Sequence, residues 1–254
     1  MRVLKVVAEG ITTSFRYPHF MQGIHPSFDV PPPATIYGHV CSVFGEWIEP
    51  EGVQFAYTFT HEGACDDVEH IHILSTKSAD WPKREGMKAA GWNYPIAVGG
   101  AINPFKRRLF FKPRLTLYIN KPEWESAFRS PHYAVVLGRS QDLFTYTDVS
   151  VVELERAEQA YFEHTLAPYQ VSLMTASGYA VLMPRFLDYH HKRRPTFARY
   201  VILKRRVTQL LQFEGMNIQP DFWVDPTAPK VDDLPLGLWF HTWTGPYDDT
   251  PRMA

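Results

Sequence analysis

Tyr189, His190, His191, Lys192 and Arg193 stand side by side in the segment DYHHKRRP, and these are the residue types a metal-free ribonuclease would use. One group takes the attacking proton, another returns one, and a cation carries the phosphorane charge. Consecutive loop residues point in different directions, so adjacency alone does not make an acid–base pair. The same residues serve equally as a contact to an RNA backbone or as a solvated loop. We therefore assign no catalytic residue, and read Lys192, Arg193 and Arg194 as an electrostatic RNA contact. His70 and His72 alternate onto one face of an expected strand, with His61 and Cys65 upstream, but their spacing matches no structural zinc pattern. No metal or cofactor is assigned either. The chain contains no P-loop, GxGxxG, HExxH or GxSxG, which argues against nucleotide hydrolysis, dehydrogenase chemistry and the common hydrolase mechanisms.

Two other stretches carry binding chemistry. In Ser14 to Trp47, Arg16, Tyr17 and His19 precede Pro31-Pro32-Pro33, which run directly into ATIYGHVCSVFGEW. Proline at a first helical position costs no hydrogen bond, and a helix start presents free N–H groups to an anion. The expected contacts there are Arg16 and the backbone around Ile36, Tyr37 and Gly38. In LGRSQDL, Gly138 permits close backbone approach, Arg139 can grip a phosphate with two N–H groups, and Ser140 follows. A tight turn carrying an exposed arginine is the equally balanced alternative.

The formal net charge of -1 hides a polarised distribution. FKRRLFFKPR carries Lys106, Arg107, Arg108, Lys112 and Arg114 without an acid, and the stretch from Arg185 to Arg206 is basic except for Asp188. Beyond Gly215 the sign reverses through Asp221, Asp225, Asp232, Asp233, Asp248 and Asp249. Basic runs interleaved with aromatics suit a polyanion, although a single run can be a solvated face.

The elements that position these residues follow from periodicity. RVLKVVAE alternates like a strand, a helix is expected over Pro33 to about Trp47, and VQFAYTFT and VEHIHILST read as a hairpin. LTLYIN gives another strand, KPEWESAFRS a short helix and YAVVLG a last strand. That order, β-α-β-β-α-β, is the ferredoxin-like order also used by RNA-recognition folds. The stretch of about 77–114 interrupts it with many glycines and prolines and with aromatics such as Trp81, Trp92 and Tyr94, pointing to a protruding hairpin. TDVSVVEL, YQVSLMT, GYAVLMPRF and FARYVILK then form a smaller β-rich lobe, with DYHHKRRP at a tip between the last two. With 254 residues, 45% of them hydrophobic, the chain can bury a real core. It has two cysteines and no apolar run long enough for a membrane helix, so a reducing cytoplasm and no membrane partner are expected.

SFRYPHFMQGIHPSFDVPPPATIYG, LGRSQDL, and the MPRF and KRRPTF segment, in this order, resemble the Cas-five family. These are RAMP-superfamily subunits of type I CRISPR Cascade complexes, and the flavour is closest to type I-B. The likeness is good from residue 1 to about 143 and looser beyond. It implies a ferredoxin-like RAMP domain over 1–143 with a thumb inserted at about 77–114, followed by a β-rich lobe with an acidic tail over 144–254. It further implies a non-catalytic subunit that caps the 5′ handle of the guide RNA (crRNA). Its partners would be a Cas-seven-type backbone subunit, a Cas-eight-type large subunit and, indirectly, target DNA. Arg16, the helix start and Arg139 fall on the matched handle-side motifs, whereas Arg107, Arg108 and the 192–194 triplet match nothing so specific. One branch of the family cleaves precursor RNA, which keeps an endoribonuclease as the alternative; a purely structural adaptor is the second.

Overall fold

The computed structural model describes residues 1–20, 23–72, 102–173, 178–204 and 222–245, with the side chains of 172 and 173 excepted. Its first strand, β1 (Arg2–Gly10), is the alternating segment expected, and the alternation has two uses. Leu4, Val6 and Ala8 face the main core, while Val3 belongs to a separate buried cluster on the opposite face. The short β2 (Thr12–Thr13) and β3 (Ile24–His25) lead to α1 (Pro33–Phe44). This helix starts where the prolines require. It ends before the expected Trp47, because Gly45 turns left-handed at φ 77° and returns its N–H to the Cys41 carbonyl at 3.0 Å. A Cβ there would lie 2.5 Å from the His132 ring.

Strand β4 (Phe55–Thr60) pairs antiparallel with β7 (Arg114–Ile119), and a 3-10 turn at Pro122–Trp124 leads into α2 (Glu125–Arg129). The strand expected at YAVVLG is instead a loop whose Val136 makes one isolated bridge to Leu143. The strand that closes the pattern is β8 (Phe144–Glu153), which runs antiparallel along β1. The four strands lie in the order β8-β1-β7-β4, with α1 linking β1 towards β4 and α2 linking β7 to β8.

Between β4 and β7 the chain leaves this sheet. β5 (Gly63–His72) does not form a hairpin with β4, as its sequence suggested; it pairs with β6 (Ile102–Phe111) in an antiparallel register running from Gly63↔Phe111 to His72↔Ile102. Ten residues per strand make a ribbon roughly 30 Å long. β6 also pairs with β2 and β3, which ties the ribbon to the body. The excursion from this sheet starts near residue 63, and the part of the expected hairpin that carries Trp81, Trp92 and Tyr94 lies outside the described residues.

After the short β9 (Glu155–Ala157), β10 (Thr165–Pro168) joins β4, so the sheet continues across residue 143 without a break. YQVSLMT gives a 3-10 turn at Tyr169–Leu173 in place of a strand. β11 (Tyr179–Asp188) and β12 (Arg194–Leu203) form the expected hairpin and complete a seven-stranded sheet, β11-β12-β10-β4-β7-β1-β8. β13 (Phe222–Asp225) and β14 (Leu236–Leu238) combine with β9 in a small sheet. Leu236 and Leu238 join Val3, Ala56 and Tyr118 in one buried cluster. There Lys5 donates to Asp225 at 2.6 Å and the Tyr118 hydroxyl donates to the same carboxylate at 2.8 Å. Asp225, expected as part of an acidic tail, is therefore a fully buried strut between the two sheets. No helix among the described residues is long and apolar enough to cross a membrane.

Candidate nucleic-acid interface

The triple proline is anchored by its carbonyls, the only polar backbone groups proline has. The buried Tyr57 hydroxyl donates to Pro31 O at 2.5 Å and the Trp243 indole to Pro33 O at 2.8 Å. Pro32 O accepts from both Thr35 N–H (2.8 Å) and Ile36 N–H (3.2 Å). At the helix start Pro33 has no N–H and the amides of Thr35 and Ile36 are already used, which narrows the expected anion site there. Ile36 and Tyr37 are core residues at 0% and 3% exposure, with the Tyr37 hydroxyl donating to Ile48 O at 2.6 Å. Both side chains therefore face the core, and the expected contact there was with their backbone. Gly38, one position further, is exposed and has open space above its Cα.

That open face is one wall of a cleft of about 590 Å³. Arg16, Gly38, Arg107, Gly138, Arg139 and Arg193 all line it, brought together from the N-terminal loop, α1, the ribbon, the LGRSQDL turn and the β11–β12 tip. Four guanidinium groups thus converge on one concavity. Phe15, Pro184 and Phe197 provide apolar wall, and the His19 ring lies over Phe197 with centroids 6.0 Å apart. Tyr17 is half-buried and stacks on Phe28 at 3.7 Å, so its ring steadies the loop that carries Arg16. Arg16 itself is exposed and makes no ion pair among the described residues.

Two of the four arginines are already held. Arg139, expected as a phosphate grip or an exposed turn residue, has a side chain only 14% exposed. Its Nε and Nη2 donate to the two oxygens of Asp142 at 2.9 and 2.7 Å, and its backbone N–H adds a third bond at 3.0 Å. Those bonds push the guanidinium pKa further up against the opposing effect of burial. Asp142 is buried and also accepts from the Thr12 hydroxyl at 3.0 Å. Gly138 lets this turn press on β2: its φ is 97°, and a Cβ would sit 2.4 Å from Thr13 Oγ1. Ser140 is exposed on the same turn, outside the cleft lining. Arg107 donates through Nε to Glu69 at 2.6 Å, and Arg139 donates through Nη1 to the other oxygen of the same carboxylate.

Three more residues of the first basic run meet acids, while Lys106 is exposed and makes no ion pair among the described residues. Arg108 faces Asp66 directly across the ribbon at 3.4 Å, Lys112 meets Glu62 at 2.9 Å and Arg114 meets Glu9 at 2.8 Å. Arg108 does not line the cleft. Acids on the neighbouring segments thus pair with Arg107 and Arg108 on β6, leaving Lys106 unpaired among the described residues.

The β11–β12 tip is different. Lys192, Arg193 and Arg194 are exposed and have no ion pair among the described residues. Lys192 and Arg193 adopt left-handed φ values of 55° and 58°, so the tip curls tightly and Arg193 reaches the cleft. His191 is held at the base, its Nδ1 2.6 Å from Asp188 Oδ2, and that hydrogen bond keeps the Asp188 carboxyl below its usual range. Trp47 stacks on Tyr189 at 4.3 Å and braces the tip against the segment after α1.

Sequence reasoning missed Glu69, Asp142 and Ser14. Asp67 and Glu69 lie across from the basic run once the β5–β6 register is known, and that register was the missing signal. Ser14 lines the cleft at 3% exposure, and its hydroxyl finds no partner among the described residues. His39, also in the lining, is buried and held neutral: burial lowers its pKa, Nδ1–H donates to Val136 O at 2.9 Å, and Tyr146 meets Nε2 at 3.0 Å.

No family model matches the sequence, and no curated protein does so either. Solved structures do match. A chain described as a CRISPR RNA-guided surveillance complex superposes with TM-score 0.50 at 13% identity, covering 82% of this chain and 90% of its own. The chain shares that fold. A CRISPR protein from Archaeoglobus fulgidus aligns over 94% of this chain and 100% of its own, at 11% identity and TM-score 0.43. A chain of the type III-B Cmr-beta complex bound to cognate target RNA and AMPPnP aligns over 82% and 86%, at 10% identity and TM-score 0.48.

Proposed function

We propose that this chain is a non-catalytic, RNA-binding subunit of a CRISPR RNA-guided complex, and that the cleft grips single-stranded RNA of the guide, in the manner of a Cas-five subunit holding the crRNA 5′ handle. The observation that carries this reading is the convergence of Arg16, Arg107, Arg139 and Arg193 on one concavity walled by Phe15 and Phe197. Cations that track phosphates beside aromatic or apolar faces are what single-strand binding requires. On this reading the β8-β1-β7-β4 sheet with its two helices is the ferredoxin-like RAMP core. The ribbon is the stem of the thumb that meets a Cas-seven-type backbone subunit. A Cas-eight-type large subunit and target DNA are reached through the assembled complex.

The test is a titration of the full chain with labelled single-stranded repeat RNA over a range of salt. The log–log slope of affinity against salt is expected at about -0.7 per phosphate neutralised. Arg16→Ala should weaken binding about tenfold, the worth of one charge-assisted contact. A flat salt response, or RNA cleaved during incubation without metal, would overturn the reading.

A further inference from the structure

Glu69 is not itself part of the cleft lining, yet it holds two of the arginines that are. It is the only carboxylate among the described residues that bridges two arginines from different elements, Arg107 on β6 and Arg139 on the LGRSQDL turn. Its oxygens accept one N–H from each, which is how a phosphodiester with two free oxygens would sit between them. We infer that Glu69 stands in for an RNA phosphate: in the RNA-free chain its carboxylate fills a phosphate subsite built by Arg107 and Arg139, and RNA binding displaces it. This inference rests on the RNA-binding reading above.

Three features separate Glu69 from a permanent strut. Asp142, the other acid on Arg139, is fully buried and takes three hydrogen bonds from that residue, so it stays when Glu69 leaves. The Glu69 side chain keeps 21% of its surface in water, which gives it a route out towards solvent. Arg107 uses only its Nε–H on Glu69 among the described residues, leaving both Nη groups for a ligand while its guanidinium packs 5.2 Å from the Phe105 ring centroid.

The displacement keeps each arginine paired throughout. A bare guanidinium pair would repel itself in the empty cleft, and the resident carboxylate removes that repulsion until a phosphate arrives. The cost is competition, since RNA must break two charge-assisted bonds before it gains its own.

The experiment compares wild type, Glu69→Gln, Arg107→Ala and the double variant for affinity to a labelled single-stranded repeat RNA at low salt, with thermal unfolding of each. Glu69→Gln keeps the shape and removes the competing charge, and it should bind RNA about tenfold more tightly. That gain should vanish in the Arg107→Ala background. Glu69→Asp retracts the carboxylate by one methylene and should fall between Gln and wild type, which preserves the test if Glu69→Gln unfolds. RNA binding by wild type, with the folded Gln variant binding equally or more weakly, overturns the stand-in and leaves the RNA reading intact. No RNA binding by any folded variant overturns both.

Discussion

The β5–β6 ribbon and the β11–β12 hairpin each carry a run of basic residues and each contributes an arginine to the same cleft, yet their charges are in opposite states. On the ribbon, Arg107 and Arg108, with Lys112 just beyond, all meet an acid on a neighbouring segment. On the hairpin tip, Lys192, Arg193 and Arg194 meet none among the described residues. The linear sequence presents these runs as equivalents. What separates them is the partner strand: β5 supplies Glu62 nearby, Asp66 and Glu69, whereas the hairpin tip has no strand beside it. A basic run is free to meet a ligand only where the fold leaves it unanswered or where its acid can give way.

The sharpest way to break this contrast is to remove a paired arginine. Arg139→Ala strands the Asp142 carboxylate in a fully buried position, and we expect a loss of about 3 kcal/mol in urea unfolding. An unchanged midpoint would move Arg139 to the unpaired side of the comparison. Next in size is the simultaneous change of Lys192, Arg193 and Arg194 to alanine. It should leave the unfolding midpoint in place, lower RNA affinity about 100-fold at low salt and flatten the salt slope by about 2, three phosphates at 0.7 each. Loss of stability with retained affinity would reverse the assignment. The smallest effect belongs to Arg108→Ala and His70→Ala, both on the exposed ribbon. An exposed ion pair contributes little, and affinity should change by less than about twofold in either variant.

Local chemistry made much of the fold readable. The alternation of β1, the proline start of α1, the pairing of GYAVLMPRF with FARYVILK and the position of DYHHKRRP between them all rest on short-range signals. Partner choice does not. VEHIHI has strand character, but nothing local says that it leaves β4 for a segment beyond residue 101. YAVVLG looks as strand-like as FTYTDVSVVE, yet a left-handed Gly138 and the bonds of Asp142 turn the first into a loop. The same limit governs the site. Arg16, Arg139 and Arg193 were identifiable as residues that could grip a phosphate, but the acids that hold Arg139 come from elsewhere. Ile36 and Tyr37 were placed correctly on a helix start, but nothing local showed that their side chains fill the core.

The four cleft arginines lie far apart in the chain, and their order has a kinetic consequence. Arg193 arrives on a hairpin that joins the sheet only through β10, itself paired with β4. A nascent chain that stops short of residue 203 lacks the end of that hairpin and also Trp243, which fills the main core and donates to the Pro33 carbonyl at the start of α1. Pairings of such long sequence separation form slowly. The hairpin wall of the cleft and the last part of the core beneath it are thus completed together, late in synthesis.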